Sequence, residues 1–101
     1  MTTAALLTKI KNYMRIRHNA LDDTITDDIN AGALELTRAG VSVYENEEIR
    51  DDELIQTAIR YHVMAVEDYN GKGVQYQQSF DKLRDAMSLS EEYKCETNSY
   101  D

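Results

Sequence analysis

The stretch from Asp51 to Tyr69, DDELIQTAIRYHVMAVEDY, is the longest periodic run in the chain and restricts its fold more than any other. With Leu54 set at 0° and about 100° per residue, Leu54, Ile55, Ala58, Ile59, Val63, Ala65, Val66 and Tyr69 fall within about 180°. Glu53, Arg60, Glu67 and Asp68 share the opposite side with Gln56 and Thr57. The spacing predicts an amphipathic helix whose apolar arc exceeds the roughly 100° that a surface helix turns toward one core. Such a helix is touched from more than one direction. Asp51, Asp52 and Glu53 give its first turn a cap and negative charge, and Asn70-Gly71 favours a left-handed stop. On this numbering Met64 falls at about 280°, an apolar side chain amid Glu53, Arg60 and Glu67.

The rest of the chain is read around that helix. Proline is absent and glycine occurs only four times, so helices are seldom interrupted and each glycine acts as punctuation. A first helix is expected from Thr3 to Met14, capped by Thr2 or Thr3, with Leu6, Leu7, Ile10, Tyr13 and Met14 on one face. Arg15 to Ala20 reads as a connection anchored by Ile16. A second helix is expected from Asp22 or Asp23 to Ala39, closed by Gly40, with Ile25, Ile29, Gly32, Ala33, Leu36 and Ala39 in one stripe. The small pair Gly32-Ala33 lets another helix approach closely. Gly40 to Arg50, GVSVYENEEIR, is the longest connection and is pinned by Val41, Val43 and Ile49. Its alternation permits a short strand, for which a partner strand is needed. After a flexible joint at Gly71-Lys72-Gly73, a last helix runs from Val74 or Gln75 to Ser88, with Tyr76, Phe80, Leu83 and Met87 in a narrow seam. Ser90 to Tyr93 offers one further turn, and Leu89 and Tyr93 are the residues of that region expected to be buried.

The expected fold class is therefore all-α, a small bundle of four main helices. It has a long acidic loop between helices two and three and a short polar C-terminal tail. Residues 1–93 form a single helical domain and 94–101 a flexible acidic tail.

Charge is unevenly placed. Of a net charge of −8, the segment Met1–Leu21 contributes four basic residues (Lys9, Lys11, Arg15, Arg17) and no acid, while the remainder holds nineteen acids against seven bases. An acidic body with a basic N-terminal arm argues against non-specific DNA binding by the whole surface and permits head-to-tail attraction between copies. The runs of apolar residues reach only four in length, at Ala4 to Leu7 and Val63 to Val66, far short of a membrane span. A single cysteine, Cys95, forms no internal disulfide. These features are those of a soluble intracellular product.

No glycine-rich phosphate loop, Cys/His metal cluster or nucleophile elbow occurs. The aspartates Asp22, Asp23, Asp27 and Asp28 lack the glycine and distant glutamate of a calcium loop and fit helix N-terminal charge better. His62 lies mid-arc in the central helix, without a serine, cysteine or second histidine at helical spacing, and reads as a partly buried histidine bonded to a neighbour. Cys95 sits in an acidic tail that raises a thiol pKa, the wrong direction for a nucleophile. No catalytic, cofactor-binding or metal-ligating residue is expected, and an enzyme is not.

Four segments taken together resemble a known family. They are Lys11 to Ile16 (KNYMRI) followed by Asp22-Asp23, Ala58 to Val63 (AIRYHV), Glu67 to Asn70 (EDYN), and Ser79 to Tyr93 (SFDKLRDAMSLSEEY). In sequence and order they look like the small head-tail connector, or neck adaptor, proteins of long-tailed bacteriophages, with the resemblance covering Lys9 to Tyr93. Family members usually carry leucine where this chain has Met14, and the Gly40–Arg50 loop has no counterpart in the resemblance. What the resemblance implies is an α-helical subunit of a twelvefold ring beneath the portal protein, located in the virion neck after synthesis in the host cytoplasm. Such a ring meets the stopper or tail-completion protein on its far side. Packaged DNA passes through it without sequence-specific binding, and neither a membrane nor a cofactor is involved.

A ring subunit needs two unlike surfaces that meet head to tail. The residues expected to supply them are Lys9, Lys11, Arg15 and Arg17 on the basic arm, Glu45, Glu47 and Glu48 on the acidic loop, and Leu34, Met64, Leu89 and Tyr93. Leu34 is either an ordinary exposed leucine or part of such a contact. The competing expectation is an acidic DNA mimic that occupies a nucleic-acid-binding protein of the host through the region Asp22 to Glu53.

Overall fold

The computed structural model describes residues 1–94, and its elements begin and end where local chemistry stops the backbone. Helix α1 (Thr3–Met14) starts at Thr2, whose hydroxyl accepts from the Ala5 N–H at 3.1 Å. It ends at Arg15, held in the left-handed region at φ 61, with the Ile16 N–H reaching back to the Lys11 carbonyl at 2.9 Å. That is the doubled closure of a Schellman-type end. Helix α2 (Asp22–Arg38) carries Asp22 and Asp23 in its first turn in place of a side-chain cap, and buries Ile25, Ile29, Gly32, Ala33 and Leu36. Helix α3 (Glu53–Val66) is capped by Asp52, one carboxylate oxygen of which accepts from both Leu54 N–H and Ile55 N–H at 2.9 and 3.1 Å. Helix α4 (Gly73–Ser88) follows a 3-10 turn at Tyr69–Gly71.

The four-helix, all-α architecture is as the periodicities indicate, with two departures in the connections. The acidic segment after α2 is a β-hairpin: β1 (Tyr44–Glu45) pairs antiparallel with β2 (Glu48–Ile49), Tyr44 opposite Ile49. The partner that a lone strand lacks is supplied by the chain's own return. Asn46 and Glu47 form the two-residue turn with φ 54 and 66, both in the region where glycine and asparagine are favoured. Glu47 occupies it at a cost of about 1–2 kcal/mol. Val41, Val43 and Ile49 are buried and root the hairpin in the core. Beyond α4, a turn from Ser90 brings Tyr93 back to the hairpin base, where Ser42 N–H donates to its carbonyl at 2.7 Å and Lys94 bridges Val41. Lys94 thus belongs to the folded unit. The remainder of the expected flexible tail, with Cys95, lies outside the described residues.

The joint before α4 is structured. The Asp68 carboxylate accepts from Gly73 N–H at 2.9 Å and so begins the helix. A Cβ on Gly73 would lie 2.7 Å from that carboxylate and 2.9 Å from the Ala65 carbonyl, so glycine is needed for the close approach. Gly32 plays a similar part between α2 and α3, where a Cβ would lie 3.1 Å from the His62 side chain.

The core is continuous, and α3 runs through it with α2 and α4 as its largest neighbours. Its orientation corrects two sequence expectations. Leu54 and Val66, placed in the apolar arc, are exposed, whereas Gln56 and Met64, placed on the polar side, are buried, Met64 to 0% exposure. Helix α1 lies across the side assumed to be wet. Lys9 bonds Gln56 and the Arg60 guanidinium stacks on Tyr13, while Met64, one turn beyond Arg60, joins the core. Met64 is therefore core and not a subunit contact. At the end of α4 the expectation holds for Tyr93, which is buried, and fails for Leu89, which is 81% exposed, because the Ser90 turn swings the later residue inward. A buried Tyr93 is in turn no subunit contact.

Candidate functional site

Of the four basic residues on the N-terminal arm, two are committed within the subunit. Lys11 Nζ sits 2.7 Å from an Asp22 carboxylate oxygen and 2.9 Å from Asn19 Oδ1, with 13% of its side chain exposed. Lys9 Nζ donates to Gln56 Oε1 at 2.6 Å and lies 3.5 Å from Glu53. Arg15 and Arg17 are exposed beside the α1–α2 connection. The sequence reading missed Arg60. Its guanidinium lies 3.9 Å from the Tyr13 ring centroid and 5.5 Å from that of Tyr61. Its Nε is buried without an acceptor, and it makes no ion pair among the described residues. Arg60, Tyr13, Lys9 and Gln56 line a cleft of about 70 Å³ between α1 and α3. The signal available in the sequence was that Arg60 is the only base on α3. Nothing there showed that a tyrosine from α1 would cover it.

The acidic hairpin lies at the other end of α1. The Met1 ammonium donates to the Ile49 carbonyl at 2.8 Å and pairs with Glu48 at 3.2 Å. Glu45 and Glu47 are exposed at the tip and unpaired among the described residues, and Tyr44 beside them is 48% exposed. Leu34 is 54% exposed on α2. From Thr3 to Tyr13 the helix rises about 15 Å, so hairpin and cleft are different places on one elongated subunit of 46 × 28 × 18 Å. The expected surface set therefore divides. Lys9, Arg15, Arg17, Leu34, Glu45, Glu47 and Leu89 are exposed, and Glu48 is exposed but paired. Lys11 is paired and sheltered, while Met64 and Tyr93 are interior.

Two further clusters are internal. Tyr93 Oη donates to Asp52 at 3.0 Å while the Arg50 guanidinium covers its ring, and Arg50 donates to the Ser42 carbonyl at 3.1 Å. This ties the end of the described chain to the hairpin and to the cap of α3. Burial, with the neighbouring Asp52 carboxylate, holds the Tyr93 phenol above its ordinary pKa. Between α2 and α3, His62 Nδ1 lies 3.1 Å from the Asp28 carbonyl, and its ring packs against Phe80 at 5.4 Å. Burial pulls the His62 pKa down. Beside it, burial and the Glu67 carboxyl push Asp28 up to about 7. One Asp28 carboxylate oxygen is enclosed and unpartnered, a setting that favours the protonated carboxyl.

Among the described residues no three His, Cys, Asp or Glu side chains come together to hold a metal ion, and no helix is long and apolar enough to cross a membrane. What the surface offers is electrostatic and aromatic recognition between unlike patches. No family model matches the chain, and neither a curated protein nor a solved structure matches it.

Proposed function

We propose that the chain is a structural subunit of a phage neck. In this reading it assembles into a ring under the portal, extends the DNA channel and links the head to the stopper or tail. The reading draws its identity from the four-segment resemblance. The observation that carries it is the placement of opposite, unlike surfaces at separate positions: the exposed Glu45–Glu47 tip and the Arg60–Tyr13 cleft. Head-to-tail contacts that close a ring need that arrangement. Exposed Leu34 and Leu89 add apolar surface for neighbouring subunits or for portal and stopper. A net charge of −8 gives phosphate little to hold, in keeping with a channel that passes DNA without gripping it.

Light scattering and negative-stain imaging across a concentration series, with and without the portal protein, test the reading. Rings or multi-subunit species are expected. A chain that stays monomeric and never binds portal overturns it. Salt-released capture of a host nuclease or repressor by that monomer would favour the DNA-mimic reading instead.

A further inference from the structure

We infer that the hairpin tip of one copy docks into the α1–α3 cleft of the next, placing the Glu45 and Glu47 carboxylates against Arg60 and Lys9. The inference rests on the self-assembly reading above and names the contact that would make it. Three observations meet in it. Arg60 is a permanent cation, stacked on Tyr13 with its Nε enclosed and no acidic partner among the described residues. A partly buried guanidinium with unused N–H groups makes its strongest hydrogen bonds to a carboxylate. Lys9, beside it, is already neutralised by Glu53 at 3.5 Å, so Arg60 supplies the net positive charge of the cleft.

On the other side, Glu47 stands in a two-residue turn at φ 66, a position that glycine fills without strain. A strained, exposed glutamate there holds its carboxylate at the farthest point of the hairpin, and such strain gathers where a segment makes contacts beyond its own fold. Tyr44, half-exposed on β1, adds an aromatic ring to the same tip, as Tyr13 does to the cleft. Tyrosine and arginine anchors of this kind concentrate the energy of protein contacts. Within one subunit Glu45 and Glu47 pair with neither Arg60 nor Lys9. The Met1 ammonium ties β2 to the start of α1, while Tyr13, which covers Arg60, lies about 15 Å along that helix. The occupant is therefore a second copy.

The test uses the full chain at concentrations where it associates. Glu45→Lys/Glu47→Lys and Arg60→Glu are each expected to weaken association at least tenfold by sedimentation velocity. An equimolar mixture of the two is expected to recover it, since each reversed surface then meets its complement. Glu47→Gly, which relieves the turn, guards against unfolding as the cause: it should melt no lower than the parent and still associate more weakly. Carbodiimide treatment of the parent should yield an intermolecular Glu47–Lys9 or Glu45–Lys9 amide. If the parent assembles while the tip variants and Arg60→Glu assemble equally well, the contact is wrong and the ring reading survives. A mixture that stays dissociated while both variants keep their helical circular dichroism also overturns the contact. A parent that is monomeric at every concentration and with portal overturns both.

Discussion

The two sides of α3 are both covered, by different kinds of chemistry. Toward α2 and α4 it presents Ile55, Ala58, Ile59 and Val63, all at 0% exposure, with His62 fitted against Gly32 and Phe80. Toward α1 it presents Gln56 and Arg60, met by Lys9 and Tyr13 across a cleft. The first side is closed mainly by dispersion and water exclusion, which are non-directional, with the His62–Asp28 contact as its polar exception. The second joins the buried Leu6 and Ile10 of α1 to polar groups, one of which keeps an unmatched charge. Stability is concentrated on the first side, and capacity for a new partner on the second.

The sharpest way to break that contrast is Met64→Glu. Met64 is fully buried, and an unpaired carboxylate there should cost at least about 4 kcal/mol. The expected result is loss of the cooperative thermal transition seen by circular dichroism. If Met64→Glu folds normally, Met64 is not part of the core. Next in size is Ile59→Ala on the dry side, which should remove about 2–5 kcal/mol through lost transfer energy and a residual cavity, read as a lower urea midpoint with unchanged slope.

Asp28→Asn should act with pH. The folded Asp28 pKa of about 7 stands above its ordinary 3.8, so the folded state binds the extra proton. The stability this provides is complete below about pH 4 and is lost as pH rises through 7. His62 acts in the opposite sense. Its pKa falls below the ordinary 6.5, so folding loses stability as pH drops below that value. The two groups therefore oppose each other below pH 6.5, and above that value Asp28 alone lowers stability as pH rises. Asp28→Asn should stabilise the fold at pH 8 by on the order of 1 kcal/mol after allowance for solvent screening, read as a higher melting temperature. It should have little effect below about pH 4, where Asp28 is largely protonated in both states. Equal effects under both conditions would show that the fold does not hold Asp28 protonated. Smallest of all should be Arg60→Met, within about 1 kcal/mol of the parent for the isolated subunit, because an unmatched guanidinium contributes little that a thioether of similar reach does not. A loss as large as that of Ile59→Ala would mean that the α1–α3 side is as structural as the other.

Local signals located the helices well. Thr2, Asp22, Asp52 and Gly40 act on the residues next to them, so the starts of α1, α2 and α3 and the end of α2 could be placed from adjacent side chains. The hairpin was less legible, because its turn carries Asn46-Glu47 where Asn-Gly would have announced it. The contact surfaces were legible only as charge. The sequence distinguished a basic arm from an acidic loop, yet Lys11 proved to be spent on Asp22. Arg60, outside that arm, makes no ion pair among the described residues and keeps its Nε enclosed without an acceptor.

What the sequence by itself determined is the α-helical class, the starts of α1, α2 and α3 and the uneven charge, since each depends on residues within a turn or two of one another. Helix α3 itself stops at Val66, three residues before the expected Tyr69. Only the tertiary structure decided that α1 lies over the Arg60 side of α3, that Met64 is buried while Leu89 stays outside, and that Tyr93 reaches Asp52 across 41 positions. A helical period records which side chains share a face. It holds no record of which faces another part of the chain will cover, because that is settled by the shapes and charges of segments far apart in sequence.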